Sequence, residues 1–252
     1  MAALRFPRFF SIDDGKAKKA QAFGWLNAIN YMAPHTSAGV GNLCPFSSAG
    51  CRALCLGTES GQAAMRKEGE DNSVTLSRKA KARFYIRERQ AFLAELLHHI
   101  ARLCVRARRE GKRPCVRLNG ATDIAWERAT VAGIGIMARF ADVQFVDYTK
   151  SPARMLAFCR GELPVNYHLT FSRSEDNEDE CKHILRAGGN VAVVFAGRKP
   201  KRYLGAVVVD GDTHDLRHLD RKGRGCGRVI ALSPKGHKAK RDASGFVVRV
   251  PA

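Results

Sequence analysis

Cys44, Cys51 and Cys55 lie within one short stretch and are spaced C-x6-C-x3-C. Glycine, proline and serine surround them between Gly41 and Thr58, so the stretch reads as a loop. Flexible backbone folds thiolates toward one point, as a metal ion or iron–sulfur cluster requires. Thiolates are soft ligands that select zinc, copper(I) or iron–sulfur clusters. Three cysteines instead of four would leave one iron of a four-iron cluster open to another ligand. A structural zinc site draws four protein ligands, often from paired C-x2-C clips. The chain has no such clip, so zinc, the alternative metal, would need a fourth ligand from His35 or Cys226. Cys104, Cys115, Cys159 and Cys181 fall in expected helices or strands and read as small core hydrophobes.

A second constellation follows a series of short apolar runs. Asn119, Gly120, Thr122 and Asp123 end one run, and Asp147, Tyr148, Thr149 and Lys150 end the next. Ser172, Arg173, Ser174 and Glu175 follow a third; Asp210, Gly211 and Asp212, with Asp215 and Arg217 close behind, follow another. Lys235 comes after the last. If the runs are parallel strands, these groups meet at one rim, where such folds place their active sites. Arg173 there suits a carboxylate or phosphate.

The elements that must position these groups are βα units. Strands are expected at 23–32, 114–119, 143–148, 167–172, 190–195, 206–210 and 228–232. Helices are expected at 76–109, 124–140, 151–160 and 177–187, with Ser151 capping one ahead of Pro152 and Gly133 and Gly135 mid-helix in another, where they permit close packing. This alternation predicts an α/β fold, a partial TIM-like barrel of about six parallel βα units with an N-terminal cysteine loop and a long basic helix. Residues 1–22 form a basic arm, read as either a phosphate-seeking tail or a frayed end, and 23–252 form one domain.

The chain has 252 residues and a formal net charge of +19. Such a field attracts polyanions, nucleic acid first among them. Arg78, Lys79, Arg83 and Arg87 on the long helix, with Arg198, Lys199, Lys201 and Arg202, are the candidate phosphate contacts; a solvated basic face is the other reading. No long apolar run or signal peptide is present, so a cytoplasmic protein without a membrane span is expected. Neither a Walker loop nor a dinucleotide fingerprint occurs.

Cys44-Pro45-Phe46 through Cys55-Leu56, the run from Arg117 to Glu127, Asp147 to Lys150, Tyr167 to Ser174, and Asp210-Gly211-Asp212 with Asp215-Leu216-Arg217 resemble a family of uncharacterised proteins encoded by bacteriophages and prophages. The resemblance runs from about residue 23 to 240. More distantly, a cysteine loop after a first strand, followed by βα units, resembles the radical S-adenosylmethionine (SAM) enzymes, although the cysteines are more widely spaced than is usual there. That resemblance implies a 4Fe-4S cluster on Cys44, Cys51 and Cys55, its open iron chelated by SAM. It places Asn119, Gly120 and Asp123 near the SAM amino group, and Ser172, Arg173 and Ser174 near its carboxylate or ribose. Asp210 and Asp212 join the cofactor side, while Asp123, Asp147, Tyr148 and Lys150 face the substrate. The expectation is an iron–sulfur enzyme modifying a nucleic acid or nucleotide. The alternative is a non-catalytic phage protein that binds nucleic acid or a host protein and carries a structural metal site.

Overall fold

The computed structural model describes residues 5–13, 15–65, 70–220 and 225–250. Seven strands run parallel: β1 (Trp25–Ile29), β2 (Arg113–Arg117), β3 (Gln144–Thr149), β4 (Tyr167–Ser172), β5 (Val191–Ala196), β6 (Ala206–Asp210) and β7 (Val229–Leu232). They are rich in Val, Ile and aromatic residues and largely buried, as a parallel sheet covered on both faces requires. The first five lie side by side in chain order, β7 follows β5, and β6 lies outside β7. Two-residue strands at Arg202–Tyr203 and Val248–Arg249 extend the sheet. Among the described residues no pairing joins β1 to the far edge, so the sheet is open and barrel closure is not seen.

Four helices ahead of β2 are α1 (Gly15–Gln21), α2 (Ala49–Ala53), α3 (Ser73–Arg87) and α4 (Arg89–Arg109). The helix expected at 76–109 is therefore two, broken at Glu88, whose φ of −131° and ψ of 53° lie outside helical values. Phe92, Leu96, Ile100 and Leu103 of α4 pack into the main core with Val116 and Leu118. Gly111, at φ 61°, ends the run as a left-handed cap.

The helix expected at 124–140 is not formed. A 3-10 turn at Trp126–Arg128 leads to a hairpin of Thr130–Val131 and Ile134–Gly135, then to α5 (Ile136–Arg139). Ala132 and Gly133, at φ 48° and 74°, make the hairpin turn, so Gly133 and Gly135 lie in and beside a turn and not mid-helix. The indole of Trp126 donates to Asn119 Oδ1 at 3.1 Å, and this pulls the segment into a turn. α6 (Pro152–Cys159) and α7 (Glu178–Arg186) form where expected, α6 capped by Ser151, whose hydroxyl accepts from the Arg154 amide.

The described part of the basic arm packs on the domain. Phe9 is buried against Phe92 and His99, and Ser11 bridges the outer edge of β1 at Ile29. After β6, residues 211–219 fold back against the sheet, burying Leu216 and Arg217 with Trp25, Cys115 and Val146 close by. No helix among the described residues is long and apolar enough to cross a membrane.

Candidate functional site

The cysteine stretch is shaped by two local devices. Ser48 caps α2, its hydroxyl accepting from the Cys51 amide at 3.0 Å. Glu175, from the turn after β4, accepts from the Gly50 amide at 2.6 Å and from the Ser48 hydroxyl at 2.8 Å. A Cβ at Gly50 would lie 2.8 Å from that carboxylate, so a larger residue there would displace the Glu175 side chain. Cys44, Cys51 and Cys55 then line one small pocket of about 100 Å³, together with His35, Thr122, Asp123, Lys150 and Ser172.

The His35 amide donates to Cys44 Sγ at 3.3 Å and the Gly57 amide to Cys55 Sγ at 3.4 Å. The Cys44 thiol in turn donates to the Ala121 carbonyl at 3.5 Å. Burial pushes Cys44 up to about 12 and Cys55 up to about 11, against these amide hydrogen bonds. Among the described residues no group of three or more His, Cys, Asp or Glu side chains is arranged to hold a metal ion as it stands. The donor chemistry nevertheless fits a cluster: three soft ligands face one pocket, and backbone N–H groups point at two of the sulfurs. His35 stays beside them, whereas Cys226 precedes β7 and stands at the opposite end of the sheet. Cys115 and Cys181 are buried in the core.

The turn after β2 is held by its own side chains. Asn119 Oδ1 accepts from the Thr122 hydroxyl, the Ile124 amide and the Trp126 indole, and its Nδ2 donates to Asp147 at 3.1 Å. Asp147 also accepts from the Asn119 amide at 2.7 Å and the Tyr167 hydroxyl at 3.0 Å. Burial raises this carboxyl to about 7, against the pull of the Asn119 amide, Arg117 and Arg154. Asp147 is thus directed into the protein, away from the thiol pocket. Asp123 lines that pocket while accepting from the Lys150 amide at 2.8 Å and Arg154 Nη1 at 2.5 Å. Gly120 packs under β1, where a Cβ would lie 2.5 Å from the Asn30 carbonyl.

A cavity of about 1210 Å³ adjoins the thiol pocket and shares Cys51, Cys55, Thr122, Tyr148, Lys150 and Ser172 with it. At its base Arg117 Nη1 donates to Asp215 Oδ2 at 2.8 Å, lies over the Tyr148 ring at 4.6 Å, and Tyr148 donates to Asp215 Oδ1 at 3.2 Å. Lys150 Nζ donates to Ser172 Oγ at 2.6 Å. Lys81 reaches the cavity from α3 and donates to the Phe9 carbonyl at 2.7 Å; burial lowers this amine to about 7. Asp212 lines the cavity and, with Asp210, accepts from Lys199. Arg173 donates to the Gly245 and Phe246 carbonyls, setting Phe246 in the cavity wall. Ser174 is buried and bonded to Asp176 at the start of α7.

The family model described as Gene product 88 matches residues 10–250. The chain belongs to that family. No curated protein and no solved structure matches it. The Gene product 88 match spans the thiol pocket and all of the cavity lining but Arg8 and Phe9.

On this Gene product 88 chain the basic candidates divide. Arg78 lines the cavity, lies over the Tyr31 ring and donates to the Gly57 carbonyl at 2.6 Å. Lys79 pairs with Asp71, and Arg83 donates to the Ala38 carbonyl at 2.9 Å while remaining exposed, as Arg87 is. Arg198, Lys201 and Arg202 are exposed in the segment that follows β5, with Lys199 paired to Asp210 and Asp212 and Arg202 set against Val207 near the start of β6. Sequence reasoning missed Lys81, Arg117 and Phe246 as parts of this assembly, and it placed Glu175 at the rim without its role as the cap of α2. Lys81 was hidden among the cations of a basic helix.

Proposed function

We propose that the chain is an iron–sulfur enzyme of radical-SAM-like design, acting on a nucleic acid or nucleotide in the host cytoplasm. One observation carries the reading: three thiols share a pocket with Lys150 and Ser172, and that pocket adjoins a large cavity fed by the ends of successive parallel strands. The chain-order arrangement of β1 to β5 supports reading the sheet as a partial TIM-like barrel.

Cys44, Cys51 and Cys55 would hold the cluster, with His35 the nearest further donor. The group, when bound, supplies one-electron chemistry and an open iron for SAM. The chain's own residues do the rest. Amides of His35 and Gly57 hold two sulfurs, and Asp123 and Asn119 fix the turn that walls the pocket. Lys150, Ser172 and Tyr148 face the substrate side, while Asp147 orders the scaffold. The exposed cations Arg83, Arg87, Arg198, Lys201 and Arg202 supply the field that gathers a polyanion.

Anaerobic purification with iron and sulfide analysis tests the proposal, together with a visible spectrum recorded with and without SAM. The expected result is about four irons per chain, with a spectrum that SAM perturbs. Zinc, or no metal, would overturn it. The +19 charge would then favour a nucleic-acid-binding domain whose metal, if zinc, is structural.

A further inference from the structure

The cavity wall beside the thiols carries positive charge that no carboxylate among the described residues neutralises. Lys150 is held by a neutral hydroxyl, Ser172, and lies 5.4 Å from the Phe246 ring centroid. Lys235 follows β7 and lines the same cavity. Among the described residues no carboxylate pairs with either amine. The Lys235 loop is pinned by Gly236, at φ 87°, where a Cβ would lie 2.3 Å from the Glu59 carbonyl. Lys235 is therefore held close to the segment that follows Cys55.

The carboxylates deeper in the chamber are already engaged. Asp215 is bound to Arg117 and Tyr148, and Asp212 to Lys199 and Ser233. Among the described residues, seven Lys and Arg side chains line the cavity against three Asp. A ligand that matches this wall brings more than one negative charge. Phe246, seated by Arg173, adds an aromatic surface next to the Lys150 amine. The volume, about 1210 Å³, exceeds the usual 300–1,000 Å³ or so of small-ligand pockets, which leaves room for a nucleotide beside a second small molecule.

We propose that this wall binds a single nucleotide, its phosphates at Lys150 and Lys235 and its base against Phe246. The proposal rests on reading the cavity as the substrate chamber, and it does not need the metal. The nucleotide is either free or the terminal unit of a single strand; the chemistry recognised is the same.

The test is equilibrium binding of methylanthraniloyl-labelled ATP to the full-length protein, with iron content measured on the same sample. Saturable binding is expected, weakened about tenfold by Lys150→Gln and by Lys235→Gln, the worth of one charge-assisted hydrogen bond. Phe246→Leu should weaken it several-fold through lost stacking. Lys182→Gln, on α7 outside the cavity lining and paired with Glu178, should leave it unchanged. Displacement by unlabelled ATP identifies the free nucleotide, and displacement only by a 5′-phosphorylated single strand identifies a strand end. Absence of saturable binding overturns the proposal, and so does binding indifferent to both lysine changes. If Lys150→Gln fails to fold, exposed Lys235 carries the test. Iron-free protein that still binds the probe through these lysines would sink the cluster reading alone; iron-loaded protein that does not bind would sink this one alone.

Discussion

Lys81 brings an amine into a place where charge is costly. Its ordinary value is 10.5, and burial lowers it to about 7, with Arg78 adding to the fall and Glu95 opposing it. Between those values the unfolded chain binds the proton more readily than the folded one, so stability rises with pH across that window. The cost is full below about 7 and vanishes toward 10.5. Lys81→Met should therefore flatten the rise of the urea midpoint between pH 7.5 and pH 10 or so; an unchanged slope would mean that the amine is better solvated than its surroundings indicate. The cysteines give a second expectation at this scale. Cys44→Ala, Cys51→Ala and Cys55→Ala should each abolish iron retention in anaerobic preparations, whereas Cys181→Ala should keep it, because Cys181 lies on the buried face of α7 and does not line the pocket. Equal iron loss in all four would assign the metal elsewhere.

At the scale of elements, α2 is too short to persist alone and is held by Ser48 and Glu175. Glu175→Ala removes two hydrogen bonds to a carboxylate and should cost about 1.5–3 kcal/mol, read from denaturant midpoints, with iron uptake falling alongside. Gly120→Ala should cost about 1–3 kcal/mol, since its Cβ would strike the Asn30 carbonyl and the Tyr31 ring. The seven parallel strands were legible because Val, Ile and aromatic runs bounded by turn residues admit few other readings. The 124–140 segment was not. Its apolar residues recur at helical spacing, yet the Trp126 indole and the positive φ of Ala132 and Gly133 commit it to turns, and neither shows in a periodicity. The break at Glu88 was equally hidden, because residues on both sides favour helix.

For the whole molecule, the +19 charge predicts salt-sensitive association with nucleic acid. Affinity should fall linearly on a log–log plot against salt, and charge reversal at exposed Arg83 and Arg87 should both weaken binding and lower the slope. A slope unaffected by these changes would move the interface off α3. How the site assembles was partly visible beforehand: strand-end residues were expected at one rim, and the cavity does gather Thr122, Tyr148, Lys150, Ser172, Asp212 and Lys235. Which of them face the chamber was not, because period-two alternation does not say that Asp147 turns inward to serve Asn119 while Tyr148 turns outward to Asp215.

The Glu175 cap has a consequence for how the chain is made. Cys55 leaves the ribosome 120 residues ahead of Glu175, the difference of their positions. At roughly 5–20 residues per second, the thiols wait about 6–24 s before the carboxylate that shapes their turn exists. During that interval Cys44, Cys51 and Cys55 belong to a nascent segment without its pocket, open to oxidation or to stray metal. The order of synthesis thus makes the site early in composition and late in form, its pocket shaped only after the fourth strand.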